Sequence, residues 1–141
     1  MKKDDCIFSK IAAGEIPCSK IFEDDTALAF MDIAPLNKGH LLVIPKNHFD
    51  NILEIDEETY GRLFSLICRI AKAVGASISP DGMTVMQLNG RASDQVVPHL
   101  HIHIVPRWTG DGLTLSAWEA VPGDMKEISH NAENVKSKLS S

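Results

Sequence analysis

Three of the six histidines of this 141-residue chain fall within five positions. They lie in the run His99-Leu100-His101-Ile102-His103-Ile104-Val105, where imidazoles alternate with aliphatic side chains. Near neutral pH an imidazole is a nucleophile, a proton carrier and a metal ligand, and clustered titratable groups mark chemistry. The alternation has the period of a β-strand. Such a strand carries its histidines on one face, roughly 6.6 to 7 Å apart, and sets Leu100, Ile102 and Ile104 into a core behind them. A strand built only to pack gains nothing from histidine, which has no special β propensity.

The elements that must hold this run follow from the patterning on either side. Ile7, Phe8 and Ile11 suggest a short helix ended by Gly14. Ile21 to Glu23 and Ala27 to Met31 flank a polar turn and read as a hairpin. His40 to Pro45 is a strongly apolar strand that Pro45 should end. From Asp56 the period changes to threes and fours, with Tyr60, Leu63, Phe64, Ile67, Ile70, Ala71 and Val74 on one face of a long helix that also carries Cys68 into the core. Asp56 suits its N-cap, Glu57 and Glu58 suit its first turn, and it should stop before Pro80. Met83 to Leu88 is a further strand, joined by a short polar loop to the histidine strand and so its antiparallel neighbour. Leu115 to Trp118 suggests a brief strand. Met125, Ile128, Ala132, Val135 and Leu139 predict a docked C-terminal helix.

The expected fold is therefore α+β: an antiparallel sheet of about five strands, one long helix, and short N- and C-terminal helices. With 44% hydrophobic residues, the chain fits one domain over residues 1–141, with a core over about 1–107 and an extension over 108–141. A net charge of -5 argues against binding long nucleic acid, which needs a basic stripe. No apolar run suits a signal peptide or a membrane span, so the expectation is a cytoplasmic protein without membrane partners. Its three cysteines, Cys6, Cys18 and Cys68, then read as reduced thiols.

The run at 99–105 resembles the histidine-triad motif of the HIT family of nucleotide hydrolases and transferases, nearest to bacterial HINT-type members. Cys6 to Pro17, Phe30-Met31-Asp32-Ile33, Gly39 to Pro45 and Asn89 to Arg107 resemble family segments in the same order. The resemblance implies a two-fold homodimer without a cofactor. It also implies hydrolysis at the α-phosphorus of purine nucleotide derivatives, phosphoramidates or dinucleoside polyphosphates, through a nucleotidyl-histidine.

Residue by residue, the same resemblance makes His101 the nucleophile, His103 the histidine at the leaving group, His99 the first member of the triad and His40 a fourth histidine supporting the phosphate. Asn89 matches a polar group at the phosphate and Gln95 a donor near the leaving group. Asp32 matches the carboxylate that takes the ribose hydroxyls, with Ile7, Phe8, Ile11, Phe30 and Ile33 as the apolar slot for the base. Taken alone, Asp32 also suits a turn before Pro35, and the apolar residues also suit a core. Val96 stands where several members carry a small hydroxyl residue, and the Trp-Pro-Pro-Gly ending of the phosphoramidase branch is absent.

Some bacterial relatives hold a structural zinc through a Cys-x-x-Cys pair and two histidines. The matching positions here are Cys6, Ser9, His48 and His99. Serine is a poor substitute for a thiolate, so no bound metal is expected; any zinc present would use Cys6, His48 and His99. Two other readings compete with a nucleotide hydrolase. One is a zinc enzyme built on the alternating histidines, which lacks an obvious nearby carboxylate. The other is a nucleotide-binding regulator with incidental turnover, which would use the same pocket.

Overall fold

In the computed structural model, which describes residues 3–114 and 120–139, the period-two segments form one five-stranded antiparallel sheet. Its strands are β1 (Lys20–Glu23), β2 (Ala27–Met31), β3 (Leu41–Pro45), β4 (Gly82–Gln87) and β5 (Ile102–Arg107), in the order β1-β2-β3-β5-β4. Three helices accompany it: α1 (Ile7–Ala12), α2 (Glu57–Ile78) and α3 (Met125–Lys138).

Side-chain alternation sorts the sheet into two faces. Ala27, Ala29, Leu41, Val43, Leu100, Ile102 and Ile104 pack against Leu63, Leu66, Ile67 and Ile70 of α2. Leu28, Phe30, Leu42 and Ile44 pack with Cys6 and Phe8 at α1. Helix α2 starts where the Asp56 carboxylate accepts the Thr59 N–H at 2.8 Å and ends at Ser79, whose left-handed backbone (φ 47°) precedes Pro80. Pro106 is tolerated inside the central strand β5 because the pairing with β3 ends at Ile104. Gly39, at φ +80°, passes so close to this corner that a Cβ there would lie 2.6 Å from Ile78 Cδ1 and 3.2 Å from Pro106 Cγ.

The structure corrects three expectations. Cys68 is exposed, because one residue beyond Ile67 is about 100° further around the helix. Phe64 is exposed as well, and Leu66 takes a place in the core. Helix α3 forms but is not docked: none of its residues is buried, and Met125 and Val135 are about 70% exposed. Its periodicity identified an apolar stripe without identifying anything to cover it, and α2 already covers one face of the sheet. The short strand expected over residues 115–118 lies outside the described residues. No helix among the described residues is long and apolar enough to cross a membrane.

Candidate active site

Strand register builds the site. Phe30 pairs with Leu42, Leu42 with His103, and His103 with Met86, so one row of side chains crosses β2, β3, β5 and β4 on the face opposite α2. This row floors a cavity of about 620 Å³. His40, His101 and His103 line it, as do Asp32, Ile7, Phe8, Ile11, Phe30 and Ile33. Phe8 stands edge-on to Phe30 and to His101, with ring centres 5.9 and 5.1 Å apart. The result is a flat apolar wall beside the imidazoles.

Backbone groups set the tautomers of the histidines. His101 donates from Nδ1 to the His99 carbonyl at 2.6 Å, which leaves the Nε2 lone pair unprotonated. The Leu36 N–H donates to His40 Nδ1 at 2.9 Å, so the proton of His40 sits on Nε2. His40 Nε2 is 2.9 Å from His103 Nδ1 and donates to it, which places the proton of His103 on Nε2. One histidine thus offers a lone pair and its neighbour an N–H, with no charge on either.

Burial favours these neutral forms. It pushes His103 down to about 4, helped by His101 and His40 and opposed by Asp32. It also lowers His101, against the His99 carbonyl and Asp32, and lowers His40, with Asp32 opposing and His101 reinforcing the effect. Asp32 accepts the Ala34 N–H on Oδ1 at 2.8 Å, while its Oδ2 lies 3.6 Å from His40 Nε2.

The side chain of His99, on the stretch 99–101 that precedes β5, does not line this cavity. It is fully buried and donates from Nε2 to the Pro45 carbonyl at 2.9 Å. Its Nδ1 faces Cys6 Sγ at 3.4 Å and Ser9 Oγ at 3.5 Å. His48 completes the group, with Nδ1 3.4 Å from Ser9 Oγ and Nε2 donating to Asp50 Oδ1 at 2.6 Å. Burial pushes His99 down to about 4.

The Cys6, His48 and His99 donor atoms lie within 4.8 Å of one another. Zinc bonds of about 2.0–2.3 Å at tetrahedral angles separate ligand atoms by roughly 3.3–3.7 Å, and the 3.4 and 3.5 Å separations fall in that range. Both histidines also bond an outer acceptor through the nitrogen that faces away, as metal-ligating histidines do. Cys6, His48 and His99 therefore fit three corners of a zinc site, where the ion would tie α1 to the sheet. Ser9 holds the fourth corner with a weak ligand.

Asn89 and Gln95 do not line the cavity. Asn89 Oδ1 accepts the Ile52 N–H at 2.8 Å, and its amide group is paired with that of Gln87. Buried Gln95 accepts the Gly90 N–H and donates to the carbonyls of Asp50 and Val97. The Gln95 amide closes the 89–97 loop onto Asp50, and the Asn89 amide ties the end of β4 to Ile52. Sequence reasoning missed several lining residues, among them Met86, Leu88 and Asp94. The alternation of β4 carried a signal for the first two; nothing distinguished Asp94 within its loop.

A HIT domain family model matches residues 13–110. The chain is 39% identical over 137 residues to protein hit of Bacillus subtilis, covering 96% of this chain and 92% of that protein. It is 40% identical over 134 residues to adenosine 5'-monophosphoramidase hnt1 of Schizosaccharomyces pombe, covering 95% and 98%. A HIT family protein from Bacillus anthracis superposes with a TM-score of 0.91 at 36% identity, over 97% of this chain and 99% of that one.

Proposed function

The chain belongs to the HIT family, and from that premise and the cavity's geometry we propose that it hydrolyses purine nucleotide derivatives at the α-phosphorus through a nucleotide carried on His101. The observation that carries this reading is the 2.6 Å bond from His101 Nδ1 to the His99 carbonyl, which directs the unprotonated Nε2 towards substrate. The similarity to a protein named as an adenosine 5'-monophosphoramidase supports the hydrolase class.

The base lies against Phe8 and Phe30, and Asp32 takes the ribose hydroxyls. An entering anionic phosphate supplies negative charge that the buried imidazoles lack, so the His40–His103 pair takes up one proton as substrate binds, on His40 Nδ1 as the Leu36 N–H gives up its bond there. His101 Nε2 bonds to phosphorus as the bond to the leaving group breaks, and His103 Nε2 gives its proton to the departing atom. Water then displaces the imidazole from phosphorus and returns a proton to the pair. The products are a nucleoside monophosphate and the protonated leaving group.

A substrate panel tests the proposal. Adenosine 5'-phosphoramidates, adenylated amines and diadenosine polyphosphates should release nucleoside monophosphate from at least one class. Unmeasurable turnover of all classes, with tight binding of the monophosphate, would instead support a regulator that only binds nucleotide.

A further inference from the structure

The two ends of the cavity differ in chemistry. With the base beside β2 and α1, sheet order places the rest of a substrate over β4 and the 89–97 loop. That end is lined by Met86, Leu88, Asp94 and Val96. Val96 is 89% exposed. Asp94 has a left-handed backbone, φ 65°, a conformation that side chains rarely adopt and that Asp and Asn tolerate best. No hydrogen bond or ion pair from another described residue engages its carboxylate. The charged and titratable groups lining the described cavity are Asp32, Asp94, His40, His101, His103 and the Cys18 thiol, with no lysine or arginine. Arg91 is exposed on the same loop but does not line the cavity.

A polyphosphate leaving group needs cationic partners for its charge, and this end offers a carboxylate and apolar side chains. We propose that Asp94 and Val96 are specificity-determining residues that select a leaving group with an apolar body and a positive charge, such as an amine bearing a second, protonated nitrogen. They select against polyphosphates. This deepens the proposed hydrolase and rests on that reading.

The test compares kcat/KM for three adenosine substrates: a phosphoramidate of an alkyl diamine, one of a neutral alkylamine of equal length, and a diadenosine polyphosphate. The wild-type protein should prefer the diamine over the neutral amine, and the polyphosphate should be the poorest. Asp94→Asn, which removes the charge while tolerating the left-handed backbone, should cut the diamine-to-neutral ratio about tenfold. That is the factor for one charge pair worth about 1.4 kcal/mol at partly exposed separations. Salt should lower the wild-type ratio towards that of the variant and leave the variant's own ratio nearly unchanged. Turnover with a ratio that neither Asp94→Asn nor salt alters overturns this inference and leaves the hydrolase standing. Turnover of none of the three substrates overturns both.

Discussion

His99 and His101 carry the same side chain two residues apart, and both meet the Phe8 ring, whose centre is 6.0 Å from one imidazole and 5.1 Å from the other. Each donates one N–H to a backbone carbonyl, but through opposite nitrogens. His99 uses Nε2, which leaves Nδ1 in a closed pocket with a thiol and a hydroxyl. His101 uses Nδ1, which leaves Nε2 for the cavity. A histidine's role here depends on which nitrogen the backbone occupies and on what the other nitrogen faces. The two sites are also joined, because the carbonyl that orients His101 belongs to His99.

Breaking the open site should have the largest effect. Replacing His101 with alanine should lower kcat on the order of 10⁵-fold, while affinity for adenosine monophosphate, measured by calorimetry, stays within a few-fold. His103→Ala should cost about 10²–10⁴-fold in kcat, with smaller losses for substrates whose leaving groups depart without a proton. The closed site should respond in the opposite way. His99→Ala removes a buried ring and its bond to Pro45, and denaturant titration should show about 2–4 kcal/mol of lost stability. Its backbone carbonyl persists, so kcat of the folded variant should stay within about tenfold of wild type; a loss as large as that of His101→Ala would erase the distinction.

The pH dependence of stability follows from the depressed His99 and His103 values. Above the ordinary histidine value of 6.5 both states are neutral and the fold keeps its full stability. Below it the unfolded chain gains protons that these two histidines in the folded chain resist until about 4, so stability should fall across that interval. Thermal melts at stepped pH check this, and a flat profile there would contradict the burial argument. The smallest effect concerns metal. The purified protein should contain little zinc by elemental analysis, and Ser9→Cys should raise zinc affinity by supplying a second thiolate. About one tightly held zinc in each wild-type chain would show that the Ser9 corner is sufficient.

Much of the fold was legible because alternation is a property of neighbouring residues. Leu100, Ile102 and Ile104 are fully buried, β3 ends at Pro45, and α2 begins after Asp56. The apolar residues of the cavity were legible, but only the register of β2, β3, β5 and β4 places Phe30 and Met86 in one row with His103. Alternation alone put three histidines on one face. Leu100, Ile102 and Ile104 do share the α2 face, and His99 and His101 both meet Phe8 on the other; that His99 sits in a separate pocket depends on Cys6 and Ser9, which lie far away in sequence. Asn89 and Gln95 were hard to assign for a different reason: an amide that donates and accepts can serve a ligand or close its own loop, and their partners lie around Asp50 and Ile52.

The most direct test is to trap the intermediate. Wild-type protein mixed with adenosine phosphoramidate labelled in the phosphoryl group, quenched within a single turnover and kept at alkaline pH, should yield a labelled peptide containing residues 99–103. Fragmentation by mass spectrometry should place the nucleotidyl group on His101, and His101→Ala should give no labelled peptide. Label on His99 or His103, label outside this segment, or near-normal turnover by His101→Ala would contradict the assignment of His101 as the nucleophile.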